Sequence, residues 1–134
     1  MTPFKLKIVT PDGLIYDGEA EELIVRTTGG DVAILARHIN YVAPLGMGRA
    51  VVISNGQRRT AACIGGMLSV VDGEVTLVPT TFEWAEKIDV DRAEASLKKA
   101  NAILNSQKST DTEIALAQAR LHRALVRKSV ASYK

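Results

Sequence analysis

At about residue 85 the spacing of apolar residues changes from every second position to every third or fourth, so two kinds of structure must follow one another along this chain. Before that point, short β-rich runs recur and each is closed by a turn signal. Phe4, Leu6 and Ile8 fall on one face of an extended segment, with Lys5 and Lys7 on the other, ahead of Pro11-Asp12-Gly13. Leu14-Ile15-Tyr16 meets Asp17-Gly18, and Leu23-Ile24-Val25 runs into Thr28-Gly29-Gly30-Asp31. Val51-Val52-Ile53, Met67-Leu68-Ser69-Val70-Val71 and Val75-Thr76-Leu77-Val78 follow. Asn55-Gly56 and Asp72-Gly73 are hairpin signals, because a type I′ turn needs positive φ at both central residues. This pattern predicts an N-terminal antiparallel β-sandwich, or flattened barrel, over residues 1–85.

Residues 86–134 read as two helices. Ala93, Leu97, Ala100 and Leu104 recur at helical spacing, as do Ile114, Ala117, Leu121, Ala124 and Leu125. Between them, Asn105-Ser106-Gln107-Lys108-Ser109 breaks the period, and Thr110-Asp111-Thr112-Glu113 offers a capping box for the second helix. So short a connection predicts an antiparallel helix-turn-helix hairpin, and the fold class is α+β. Both stripes are rich in alanine, so the helices approach closely while burying little area, and the hairpin is expected to be marginal alone and adjustable in position.

Composition removes several classes. With 134 residues and 46% of them hydrophobic, the chain has enough apolar surface for a core and is not disordered. A single cysteine, Cys63, excludes an internal disulfide and a multi-cysteine zinc site, and its apolar neighbours predict a buried, inert thiol. The alternating N-terminus is not a signal peptide, and no stretch approaches the ~18 apolar residues of a spanning helix. A soluble chain, bound to a membrane only through a partner, is expected. The formal charge of +2 is unevenly divided. Up to Ala85 there are seven basic and nine acidic residues, a net of −2; beyond it there are ten and six, a net of +4. The two parts therefore face different partners.

The segment joining them is the most informative. Asp89 is a good N-cap, Ile88 and Ala93 form a hydrophobic staple, and Asp91 complements the positive helix end. Arg92 is not so explained. A cation in the first helical turn opposes the macrodipole by about 0.3–1 kcal/mol and calls for an anionic partner: Asp89, Glu83 or a phosphate. Lys99 lies seven residues on, on the same face. Arg120, Arg123 and Arg127 share a face of the second helix, with no acid after Glu113 to balance them. A solvated basic face and an anion cradle or acidic docking face both fit that pattern.

Other chemistry is missing from the sequence. Gly65-Gly66 and Gly46-Met47-Gly48 lack the Lys-Ser/Thr ending of a phosphate-binding loop. The two histidines, His38 and His122, lie far apart, which leaves no metal pair and no nucleophilic triad. With few aromatics, the sheet is a poor platform for stacking nucleic-acid bases. Trp84 reads as a plug between sheet and hairpin, with adenine stacking as the sharper alternative.

Several segments occur together in a recognisable order: Thr10-Pro11-Asp12-Gly13, Gly30-Asp31-Val32-Ala33-Ile34-Leu35-Ala36-Arg37-His38, Gly65-Gly66 and Ile88-Asp89-Val90-Asp91-Arg92-Ala93. With the predicted fold, they make the whole chain resemble the epsilon subunits of bacterial F-type ATP synthases. The resemblance implies a non-catalytic rotor subunit, peripheral on the cytoplasmic side of the bacterial cell membrane. Its sandwich would grip the gamma subunit and contact the c-ring, with Arg37 and His38 in a loop facing partners. Its hairpin would block ATP hydrolysis when extended towards the acidic catalytic beta subunits, and release the block when folded back on the sandwich. In some relatives ATP binds the folded hairpin as a regulatory ligand and is not hydrolysed; a role for Mg²⁺ is left open. Carried over, the ATP-binding residues are Glu83, Ile88, Asp89, Arg92, Ala93, Lys99, Arg123 and Arg127. Lys99 stands where relatives carry Arg, giving a point charge in place of a bidentate fork. Ala36-Arg37-His38 replaces the usual Pro-Gly-His, and Ile64-Gly65-Gly66-Met67 the usual Ser-Gly-Gly-Phe. The alternative is a purely structural coupling subunit that ignores nucleotide.

Overall fold

The structure is a computed structural model that describes residues 2–133. Met1 and Lys134, the outer limits of the two expected domains, lie outside the described residues. The chain divides into two compact units, Met1–Trp84 and Ala85–Lys134.

The first unit holds ten strands: β1 (Phe4–Thr10), β2 (Gly13–Ala20), β3 (Glu22–Thr27), β4 (Gly30–Ile34), β5 (Tyr41–Pro44), β6 (Met47–Ser54), β7 (Gln57–Ile64), β8 (Met67–Val71), β9 (Glu74–Val78) and β10 (Thr81–Trp84). They form two five-stranded sheets, ordered β2-β1-β9-β8-β5 and β10-β7-β6-β3-β4. Every pairing is antiparallel except β1 with β9, which run parallel with Leu6 opposite Val75 and Ile8 opposite Leu77. A parallel pair needs a long crossover, and here most of the sandwich separates the two strands in sequence. No local pattern signals such a pairing.

Alternation places Phe4, Leu6 and Ile8 in the core and leaves Lys5 and Lys7 outside. Leu23, Val25, Ile34, Leu68 and Leu77 are buried with them, each contributing about 1.5–3 kcal/mol through burial. Both I′ hairpin signals hold: Asn55 and Gly56 have φ of 53° and 75°, and Asp72 and Gly73 have 50° and 81°. Four strands carry no clear signal of their own. In β7, Thr60 to Ile64 are all buried, so alternation disappears; Asn55-Gly56 and pairing with β6 make it a strand. β5 ends in Pro44 and lies at a sheet edge, where a missing amide costs no ladder bond.

The second unit opens with a 3₁₀ turn at Ala85–Lys87 and continues as α1 (Val90–Leu104) and α2 (Asp111–Ala131). The Asp89 carboxylate accepts the Arg92 amide at 3.0 Å and caps α1. Thr110 caps α2: its hydroxyl accepts the Glu113 amide at 3.1 Å, while the Glu113 carboxylate accepts the Thr110 amide at 3.3 Å. In the connection, the Ser109 hydroxyl donates to the Ile103 carbonyl at 2.8 Å. Ala93 and Ala100 of α1 and Ala117 and Ala124 of α2 are buried, with Leu97, Leu104, Ile114 and Leu121 half-buried. Lys128 of α2 pairs with Glu94 of α1. One expected member of the apolar stripe is displaced. Leu125 is 48% exposed, because the repeat runs through Ala117, Leu121, Ala124 and Lys128, and the next residue after Ala124 is turned about 100° away.

Candidate functional site

Arg92, Ala95, Ser96 and Lys99 follow one another at i, i+3, i+4 and i+7, a stripe of α1 separate from its alanine seam. They line an open cleft of about 350 Å³, and Arg120 of α2 completes the lining. Two of the lining residues, Ala95 and Ser96, are small, and the other three are cations. Arg92, Lys99 and Arg120 are exposed and form no ion pair among the described residues, and the lining contains no acid. The Ser96 hydroxyl is half-buried and is hydrogen-bonded to no other described residue. Like charges gathered from two helices repel one another unless an anion lies between them, so the cleft is chemically suited to an oligoanion.

The structure thus brings Arg92 and Lys99 of the expected set together. Ile88 and Ala93 are buried at the start of α1, where they serve as apolar support. Asp89 is committed to its capping bond. Arg123 is exposed and Arg127 half-buried on α2, and neither lines the cleft. Glu83 is half-buried on β10, in the first unit, opposite Ala62. Arg120 and Ser96 were not singled out as ligands from the sequence. Counting away from the turn would have found them, because Arg120 lies about as far beyond it as Ala95 and Ser96 lie before it.

On the first unit, the loop after β4 turns at Arg37, which has a φ of 66°, a left-handed conformation that glycine adopts without cost. The Nδ1 of His38 lies 2.8 Å from the Ile39 carbonyl and therefore carries the proton, and its ring meets Tyr41 edge-on at 5.7 Å. Both ring contacts are internal. Ile39 beside it is 76% exposed. Trp84 packs edge-on against Phe82, with ring centroids 5.0 Å apart, and the Arg59 guanidinium sits 3.7 Å over its face. A larger cleft, about 490 Å³, is lined by Tyr16, Glu19, Glu21, Ser54 and Asn55 among others. Its polar groups satisfy one another: Tyr16 and Ser54 hydroxyls donate to the Glu19 carbonyl, and the Asn55 amide donates to Glu21 at 2.6 Å. The smaller cationic cleft is therefore the better candidate. Burial pushes the Cys63 thiol up to about 12, so it is not a nucleophile at neutral pH. Among the described residues no cluster could hold a metal ion, and no helix is long and apolar enough to cross a membrane.

A ten-stranded sandwich followed by a capped helical pair with a cationic cleft defines the class: a two-domain α+β chain. Comparison with known proteins narrows that class. The profile of the ATP synthase delta/epsilon chain β-sandwich domain matches residues 3–85, and that of the long α-helix domain of the same chains matches residues 86–132. The ATP synthase epsilon chain of Bacillus velezensis is 44% identical over 131 residues, covering 98% of each chain. That of Ruminococcus albus is 41% identical over 135 residues, covering 100% of both. Among solved structures, a chain of the Euglena gracilis mitochondrial ATP synthase, in an OSCP/F1/c-ring assembly, superposes with a TM-score of 0.85 at 21% identity. The match covers 100% of this chain and 83% of that one. The chain belongs to the ATP synthase delta/epsilon chain family. It is a non-catalytic subunit of the central stalk, not itself an enzyme.

Proposed function

We propose that this stalk subunit both couples and restrains a rotary ATP synthase. Its sandwich holds the gamma subunit and meets the c-ring, and its C-terminal helices restrain ATP hydrolysis when they separate and pair with acidic surfaces of the catalytic beta subunits. The complex keeps it at the cytoplasmic side of a bacterial membrane. ATP acts as a regulatory ligand and is not hydrolysed. It binds only while α1 and α2 lie side by side, so it favours the closed hairpin by its differential affinity for that state. The adenine end falls near Ile88, Asp89 and Ala93, and the phosphates near Arg92 and Lys99 in the cleft, with Arg123 and Arg127, one and two turns beyond Arg120 on α2, as further phosphate ligands outside its present lining. One observation carries this reading: three cations without acidic partners converge on one cleft, and they come from both helices. Opening the hairpin would separate Arg120 from Arg92 and Lys99, and the anion site would cease to exist.

A second reading has its own support. Asp89 already accepts the Arg92 amide as an N-cap, which explains that residue without any nucleotide. On this reading the hairpin is purely structural. Calorimetric titration of the full chain with ATP, with and without Mg²⁺, separates the two. Saturable binding that is weakened in Arg92→Ala supports the sensor. No binding up to roughly 10 mM, a threshold corresponding to less than about 3 kcal/mol, leaves the coupling role alone. A chain ending at Ile88, assembled into the synthase, then tests restraint: faster ATP hydrolysis supports it and an unchanged rate removes it.

A further inference from the structure

Among the described residues, three other than glycine hold a positive φ: Asn55 at 53°, Asp72 at 50° and Arg37 at 66°. Two of them are accounted for by the fold. Asn and Asp tolerate the left-handed region, and each stands before a glycine in a two-residue hairpin turn. Arg37 has neither property. It is the third residue of a turn in which the His38 amide donates to the Leu35 carbonyl at 3.2 Å, the place where a type II turn calls for glycine. A glycine would serve the fold better. The Arg37 side chain returns nothing for that strain within the chain: it is exposed and makes no hydrogen bond or ion pair among the described residues.

Strained residues of this kind persist where the conformation serves a contact, and the rest of the loop is suited to one. Leu35 and Ile39, two residues to either side, are 44% and 76% exposed. Between Arg37 and Ile39 the chain is held still, because the His38 ring is tied to the Ile39 carbonyl and rests edge-on against Tyr41. The loop thus offers one guanidinium among exposed aliphatic groups, in a conformation set before any partner arrives, which lowers the ordering cost of binding. Its complement is a carboxylate within an apolar rim, since the guanidinium fork pairs with a carboxylate through two parallel hydrogen bonds. We infer that Arg37 is an anchor by which the sandwich grips a carboxylate of a neighbouring stalk protein, and that its left-handed backbone holds the side chain out for that contact. This rests on the reading that the sandwich holds its rotor partners.

The test separates stability from binding. The full-length chain, unaltered and as Arg37→Gly, Arg37→Ala and Arg37→Lys, is melted alone, followed by Trp84 fluorescence, and then titrated onto the ATP synthase stripped of this subunit. Alone, Arg37→Gly should melt roughly 2–8 °C higher, because relief of the positive φ outweighs glycine's extra chain entropy. Arg37→Ala keeps the strain and should show no such gain. On the stripped synthase, Arg37→Gly and Arg37→Ala should both bind about tenfold or more weakly, the loss typical of a hydrogen bond to a charged group. Arg37→Lys should recover part of that loss, and added salt should weaken the unaltered chain more than Arg37→Ala. An Arg37→Gly chain no more stable than the unaltered one removes the strain premise. One that binds as tightly removes the anchor, with the sandwich's grip left standing. A loss of the same size at low and high salt removes the carboxylate. If the unaltered chain does not bind the stripped synthase, grip and anchor fall together.

Discussion

Replacing Gly66 with alanine should unfold much of the sandwich's margin of stability, and the reason lies in its backbone neighbours. Gly66 has a φ of 99°, and a Cβ placed there would lie 2.0 Å from the Val78 carbonyl oxygen and 2.6 Å from the Pro79 Cα. Those atoms cannot swing aside. Val78 pairs with Met67 in the β8–β9 ladder, and the Gly66 carbonyl accepts the Leu45 amide at 2.8 Å. The positive φ costs about 1–2 kcal/mol for a residue with a side chain, and the overpacking adds about 1–3 kcal/mol, for a total of about 2–5 kcal/mol. Gly56→Ala provides the control. Its φ of 75° carries the same conformational cost, but a Cβ there meets nothing within 4 Å, so about 1–2 kcal/mol is expected. Urea unfolding followed by the fluorescence of Trp84, the single tryptophan, reads both. With a slope of about 1–1.5 kcal/mol per molar for a unit of this size, Gly66→Ala should lower the midpoint by roughly 1.3–5 M, and Gly56→Ala by about 0.7–2 M. Equal midpoints for the two variants would refute the steric argument and leave φ alone as the cause.

Two further outcomes follow from groups with displaced pKa values. Cys63 is 3% exposed and its thiol is pushed up to about 12 by burial; a thiol reagent at pH 8 should leave the native chain unmodified and react fully once it is denatured, and rapid native labelling would contradict the packing around β7. Glu94 is held below the usual carboxylate range by its hydrogen bond and charge interaction with Lys128. Because the folded value is the lower one, the pair contributes above the unfolded pKa near 4.3 and is lost as pH falls through the folded value. Helicity of the C-terminal unit should therefore decline in that acid range, and Glu94→Gln should remove that part of the titration; identical profiles would show that the pair contributes nothing.

Much of the fold was readable because local rules decided it. Alternation in Phe4–Ile8 set one core strand, two positive-φ dipeptides set hairpins, and Asp89 and Thr110 set the starts of both helices. What escaped depended on distant partners. The parallel register of β1 and β9 has no local signature, and β7 lost its alternation because consecutive residues on both of its faces are buried. Leu125 was misplaced because helical spacing alone does not tell which of two adjacent apolar residues faces the partner helix; Ala124 is the one buried. At the cleft, spacing placed Arg92 and Lys99 on one face, but joining Arg120 to them needs a count across the turn, from nine residues before the end of α1 to nine beyond the start of α2.

The composition of the helical seam sets how strongly any ligand can act on it. Burying a methyl group is worth about 0.8 kcal/mol, so the four buried alanines of the seam contribute about 3 kcal/mol, where leucines would contribute about 6–12 kcal/mol. Half-buried Leu97, Leu104, Ile114 and Leu121 add to this, and the crowding of Arg92, Lys99 and Arg120 subtracts from it. A ligand that binds only the closed form stabilises it by about 2.7 kcal/mol when present at a hundred times its dissociation constant. That is the same size as the alanine term. A weak seam is therefore what makes the proposed switch responsive: a nucleotide of modest affinity can decide whether α1 and α2 stay together, whereas a leucine-packed hairpin would remain closed at any nucleotide concentration.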